Sequence, residues 1–322
     1  MAIQTEVQTL TFRKEVFTVK QRFYLCVDTG ERFTSTEMDE LNLSLVYNAY
    51  RAKHHISSPE EIKKTREKYG LSAVKMSEIL GFGPNSYGLY ERGEIPSLAN
   101  SKLLKLASDP ESFLQLVNDW EIDNSSTKSK LLDKVCKMID EESETDFLEN
   151  YLIGKSKFSE LTGYRKPSLT RLKEMVVFFA HKVPSYKTKM NKLLFYADFK
   201  CFRDLGVSMS GTQYKAIPYG PVPNKFQTLF ENLAETYVID IFYTPLDNGG
   251  RKEQLIGRAE RPFKANLFSE TEIDILETVA KKFKDTTASE IVDISHKELA
   301  WLENEASRSF IQYEYALDLK AL

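Results

Sequence analysis

Cysteine is scarce in this chain: Cys26, Cys136 and Cys201 are the only three in 322 residues. They are far apart and odd in number, which excludes a disulfide framework or a local thiolate cluster and leaves buried free thiols as the reading. A large excess of one charge is also missing. The net charge of −3 excludes a broadly cationic nucleic-acid coat, so any contact with DNA must be local. No apolar run approaches the roughly 18 residues needed to cross a bilayer. The opening MAIQTEVQTLTFRKEVF has neither the apolar core of a signal peptide nor the composition of a transit peptide. A cytoplasmic protein without a membrane partner is expected. Nucleophile elbow, P-loop, dinucleotide loop and His-Glu-x-x-His spacing are all absent around His181, His296 and the acids. Neither catalysis nor a cofactor is expected, and His296 near Trp301 reads as a packing histidine.

What is present is globular: 42% hydrophobic and 28% charged residues rule out wholesale disorder, and the length suits two domains. Residues 2–36 are rich in Val, Thr, Phe and Tyr, and Asp28-Thr29-Gly30 supplies turn chemistry, which predicts two or three short antiparallel strands. A helix follows from Thr34 to Ala52, with Met38, Leu41, Leu45, Val46 and Ala49 as its apolar stripe.

From Ser58 the punctuation is regular. Ser58-Pro59-Glu60-Glu61 opens a helix that Gly70 closes, and Ser72 caps a second that Gly81 ends. After the turn Phe82-Gly83-Pro84 comes a third helix, Asn85–Arg92, stopped by Gly93, and Pro96-Ser97 opens a fourth. Short helices in tandem around a glycine turn predict a helix-turn-helix.

Trp120 to Ser129 is polar and turn-rich and reads as a connector. Leu131, Leu132, Val135, Met138 and Ile139 then form an amphipathic stripe that needs a second copy of the chain or the following domain to cover it. The acidic run from Asp140 to Glu149 reads as a solvated face. Beyond Pro167 the helices lengthen, with Leu172, Met175, Val176 and Phe179 lining one and Met190, Leu193, Leu194, Ala197 and Cys201 the next. Ser210 to Pro223 combines glycines and prolines into a stiff turn. Strands are expected at Tyr237–Tyr243 and Glu253–Gly257 around the turn Asp247-Asn248-Gly249-Gly250, with capping boxes at Ser269/Glu272 and Thr287/Glu290. The fold class is α+β, mainly α. It divides into a β-hairpin unit with a helix over 1–57, a helix-turn-helix bundle over 58–119, a connector over 120–161, and a compact α+β domain over 162–322.

Three resemblances add to this. Arg66-x-x-x-Gly70-Leu71-Ser72, Ile79-Leu80-Gly81, Tyr90-Glu91-Arg92-Gly93 and Pro96-Ser97 together resemble the Cro/repressor-type helix-turn-helix. That implies a helix entering the major groove of operator DNA, with Asn85, Ser86 and Tyr87 on bases or phosphates, Arg92 on the backbone, and Tyr90 in the same candidate set. The spacings of Tyr87, Leu89 and Tyr90 equally suit packing into the domain itself, and Leu89 is assigned to its core. Glu91 and Gly93 are read as structural, closing the helix. From Ser58 to Asp119 eight Lys/Arg stand against nine Asp/Glu, which favours binding to a palindrome as a homodimer.

Strands followed by this helix-turn-helix resemble the MqsA antitoxin family, whose zinc site uses two Cys-x-x-Cys pairs. Here Cys26-Val27-Asp28-Thr29-Gly30-Glu31 keeps the shape of one pair, Thr29 replaces a ligand, and no cysteine precedes Cys26. No metal is expected. His54-His55 reads as a polar junction, since adjacent histidines point apart.

The segments Lys192 to Asp198, Gly211-x-x-Tyr214, Tyr219 to Pro223, Ser295 to Glu298, Trp301 and Tyr313 to Ala316 resemble the Panacea, or SocA-like, domain. The resemblance implies an antitoxin that neutralises a cognate protein toxin by direct contact, toxic small alarmone synthetases among the targets, with a proteolytic adaptor among the relatives. The candidate toxin-facing residues are Tyr196, Tyr214, Tyr219 and Pro221. An internally packed turn that braces the helices accounts for the same residues, and Tyr196 with Asp198 could be a buried polar pair. A transcription regulator without a toxin, and an adaptor handing a toxin to a protease, remain the alternatives.

Overall fold

The computed structural model describes residues 2–121, 125–141, 151–153, 158–183, 185–245 and 251–322. They form two compact units, Met1–Val46 with Glu149–Leu322, and Tyr47–Leu148. The described residues are mainly helical, with three small three-stranded sheets in which every pairing is antiparallel, an α+β architecture. Among them no helix is long and apolar enough to cross a membrane.

The first unit begins with a long hairpin, β1 (Ala2–Phe12) and β2 (Glu15–Leu25), paired one-for-one from Ala2↔Leu25 to Phe12↔Glu15. Its two-residue turn is Arg13-Lys14, with φ of 50° and 67°. Both values are positive, as a type I′ turn requires, and neither residue is the usual Gly or Asn. The expected turn near Asp28 links β2 to β3 (Arg32–Phe33), with bonds from Gly30 N to Cys26 O and Cys26 N to Glu31 O. Helix α1 (Thr36–His54) starts in this unit and ends in the other. The Asn42 amide accepts from Arg22 N and donates to Arg22 O, which satisfies the edge of β2. The hairpin is tied to the far end of the chain: the Thr5 hydroxyl and Lys20 both bond the Asp318 carboxylate.

The rest of this unit is arranged around one helix. α8 (Leu169–Lys182) and β4 (Ser185–Tyr186) lead into α9 (Lys187–Leu205), and Met190, Leu193, Leu194, Phe195, Ala197 and Phe199 of α9 have no exposed surface. Lys192 and Asp198 of the same helix are buried as well, so α9 runs through the core with the rest of the unit built around it. The remaining elements are β5 (Tyr214–Ile217), β6 (Gly220–Pro223), α10 (Phe226–Glu235), β7 (Ile239–Pro245), β8 (Arg251–Gly257), α11 (Glu270–Phe283), α12 (Ala288–Ser295), α13 (Leu299–Leu302) and β9 (Phe310–Ile311), of which β6, β8, α11 and α12 pack directly on α9. Sheet orders are β4-β8-β7 and β6-β5-β9. The Asp247–Gly250 turn lies outside the described residues. Both capping boxes form, at Ser269/Glu272 and Thr287/Glu290.

In the second unit the caps act where the spacing places them. Ser58 and Glu61 make a capping box on α2 (Pro59–Tyr69), Ser72 caps α3 (Ala73–Ile79), and Ser97 caps α5 (Leu98–Ser108). Between the last two lies α4 (Ser86–Glu91). α6 (Pro110–Asp119), capped by Asp109, and α7 (Ser125–Glu141) complete the bundle. Tyr69 stacks on Phe113 at 3.9 Å in the core. Two expectations need correcting. Trp120 is buried rather than part of a polar linker, and α7 begins at Ser125. The apolar stripe of α7 also needs no outside cover, because Leu131 and Val135 pack into the same cluster as Met76, Phe113 and Trp120. Glu142 to Glu149 lie outside the described residues.

Candidate functional site

The glycine-proline segment of the first unit is braced from below by the polar side chains of α9. Asp198 is fully buried; its carboxylate accepts from Ser210 N at 2.7 Å, Ser210 Oγ at 2.6 Å and the Tyr214 hydroxyl at 2.8 Å. Burial pushes the Asp198 carboxyl up, against the bonds from Ser210 and Tyr214. Tyr313 donates to Thr212 O at 2.7 Å. Gly211 has φ of 76°, and a Cβ there would stand 2.7 Å from Pro167 N and 2.8 Å from Lys166 C. Only glycine fits.

Nearly two turns earlier on α9, Lys192 is also fully buried, and its Nζ donates to Pro221 O at 2.9 Å. Burial pushes Lys192 down to about 7. Gly220, at φ 93°, lies so close that a Cβ would meet Lys192 Cε at 2.6 Å and Ser295 Oγ at 2.5 Å. Trp301 donates to Ile217 O at 2.8 Å, and the His296 ring stacks on Trp301 at 3.8 Å. His296 is thus a packing residue. Burial, then the nearby Lys192, lowers its pKa.

These contacts sort the four candidate partner-facing residues. Tyr196 and Tyr214 have no exposed surface and Pro221 is buried in β6, so a protein docking on the folded unit does not reach them. Tyr196 donates to Glu298 Oε1 at 3.2 Å, not to Asp198. Glu298 in turn accepts from Lys320 N and Ala321 N, holding the C-terminal residues, and burial raises its carboxyl. Tyr219 alone stands outside, 69% exposed at the tip between β5 and β6. The turn is an internal brace that presents one aromatic side chain.

Sequence reasoning missed a second buried network. Glu272, visible only as a cap, accepts from Arg165 at 2.7 Å and Arg171 at 2.5 Å. Burial alone would raise its carboxyl, but Arg165 and Arg171 hold it below the ordinary value.

In the second unit the α4 candidates divide similarly. Tyr87 is fully buried, with its hydroxyl donating to Ile62 O at 2.7 Å and its N–H to Ser77 Oγ at 3.2 Å. Tyr90 is buried and accepts from Asn100. Both are packing residues, while Leu89, expected in the core, is 39% exposed. Asn85 and Arg92 are exposed and Ser86 half-buried, leaving an amide, a guanidinium and a hydroxyl around one short helix. Glu91 pairs with Arg66 at 2.5 Å and 3.3 Å, and Arg66 also donates to Leu71 O.

Of the three thiols only Cys201 is buried; Cys26 is intermediate and Cys136 exposed. Hydrogen bonds from Thr29, side chain then backbone, and from Asp28 hold the Cys26 thiol below its ordinary value. One thiol does not suit a structural zinc, which takes four Cys or His ligands. Among the described residues no three His, Cys, Asp or Glu side chains gather so as to hold a metal.

Residues 190–302 match the family model described as antitoxin SocA-like, Panacea domain. A Panacea/SocA-like domain therefore occupies this stretch, which includes Lys192, Asp198, the Tyr219 turn and Trp301. No curated protein and no solved structure matches the chain.

Proposed function

We propose that this chain is an antitoxin that neutralises a protein toxin by direct, non-catalytic contact and regulates its own operon through a helix-turn-helix. The observation that carries this reading is the Panacea/SocA-like match over residues 190–302, a protein-interaction module of that family. The braced turn suits such a role: it loses little conformational entropy on docking and offers the amphipathic ring of Tyr219 to a partner. α3 and α4, joined through Ser77 and with α4 tied to α2 by Arg66–Glu91, form the proposed DNA-reading pair, with Asn85, Ser86 and Arg92 towards the duplex.

Co-expression with the product of the adjacent reading frame tests the first half. Cells should survive only with this chain present. A Tyr219→Asp variant should lose about 2 kcal/mol of toxin binding, the cost typical of a hot-spot tyrosine, and with it rescue. Undiminished rescue by that variant removes Tyr219 from the interface, and a harmless neighbour removes the antitoxin reading in favour of a regulator without a toxin. Toxin clearance that requires a cellular protease would favour an adaptor. For the second half, Asn85→Ala should weaken operator binding by about 1–3 kcal/mol in a gel-shift titration and relax specificity at one base. Unchanged affinity and specificity would remove Asn85 from the DNA-reading set.

A further inference from the structure

Strand β1 forms one edge of its sheet, in the order β1-β2-β3. The turn at Arg13-Lys14 makes Phe12↔Glu15 the closing hydrogen-bonded pair, so the even residues of β1 bond β2. The N–H and C=O groups of Ile3, Thr5, Val7, Thr9 and Thr11 therefore face away, and no described residue bonds them. Natural edges are blunted by short length, proline, lysine or a bulge. β1 has eleven residues, unbroken one-for-one register, no proline and no lysine. Ile3 is 50% and Val7 67% exposed.

The geometry points to a second copy of this chain as the occupant, with β1 pairing antiparallel to β1 of its partner about a two-fold axis through Val7. The pattern of charge favours this occupant. In that register Thr5 meets Thr9, Ile3 meets Thr11, and Val7 meets itself, all as hydrogen-bonded pairs. The only charge on the strand, Glu6, lies opposite Gln8. Those two types already associate within one chain, where Gln8 Nε2 donates to Glu6 Oε1 at 2.6 Å. No like charges oppose each other, and threonine pairs across strands are favourable. The two three-stranded sheets become one of six strands. The pairing does not rest on the toxin-neutralising reading.

Sedimentation of the full chain, without any partner, tests it. The wild type should be a dimer at micromolar concentration. Val7→Pro removes an N–H that faces outward, a position where an edge strand tolerates proline. It should leave the circular dichroism unchanged and weaken association by about thirtyfold through the two lost central hydrogen bonds. Should that variant misfold, Val7→Lys keeps the N–H and places two ammonium groups on the axis, and it too should shift the chain towards monomer. A monomeric wild type, or a dimer that a folded Val7 variant leaves intact, overturns the proposal.

Discussion

Asp198→Ala should destabilise the unit formed by residues 1–46 and 149–322 by about 4 kcal/mol. Three buried donors, Ser210 N, Ser210 Oγ and the Tyr214 hydroxyl, lose their acceptor at once, at about 1–3 kcal/mol each. Water cannot readily replace it, since Asp198, Ser210 and Tyr214 all have no exposed surface. Asp198→Asn keeps an oxygen for Ser210 N and nearly the same volume, and should lose less than half as much. Urea unfolding followed by circular dichroism separates the two. A loss below about 1 kcal/mol for Asp198→Ala would mean that the carboxylate is not what holds Ser210 and Tyr214 in the braced turn. The same experiment bears on the proposed function, because the strand pair that displays Tyr219 is seated on this network.

Lys192→Met should have the opposite sign. A lysine with a folded pKa of about 7 and an unfolded value near 10.4 binds fewer protons folded than unfolded between those limits. Its contribution to stability therefore rises with pH across that window, and the full penalty applies below about 7. At roughly 1.4 kcal/mol per unit that penalty is about 4–5 kcal/mol, to be set against a hydrogen bond to Pro221 O of about 1–3 kcal/mol. Methionine fills nearly the same space without the amine. The variant should gain about 2 kcal/mol at pH 7 and lose the rise in stability between pH 7 and 10.4, measured by denaturation at several pH values. A destabilised variant with the wild-type pH slope would show that Lys192 remains charged and well solvated in the folded chain.

What could be read from the sequence has short range. Ser58/Glu61, Ser72, Ser97, Ser269/Glu272 and Thr287/Glu290 act on backbone groups within three residues, so type and spacing alone placed these helix starts. Gly211 and Gly220 were legible as glycines that a stiff turn needs, though not as points where another segment presses close. Arg13-Lys14 was illegible as a turn because neither residue carries the usual preference for positive φ.

Exposure was the largest error, and its cause is general. Tyr87, Tyr196 and Tyr214 are amphipathic, and an isolated sequence cannot say whether a phenol meets a partner protein, a base or a carbonyl of its own chain. Leu89 failed in the other direction: its position on α4 suited burial, and the neighbouring helices leave it uncovered.

The sequence by itself determined the order and punctuation of the helices, the antiparallel hairpins and the glycine-proline turn, because each depends on neighbours a few residues away. Tertiary structure alone decided that the first hairpin joins the C-terminal residues through Asp318, that α7 closes its own bundle, and that Glu272 and Glu298 anchor buried networks. It also decided that, of Tyr196, Tyr214, Tyr219 and Pro221, only Tyr219 is exposed. Those outcomes rest on contacts across tens to hundreds of residues, where burial and hydrogen bonding are settled by packing that no local pattern records.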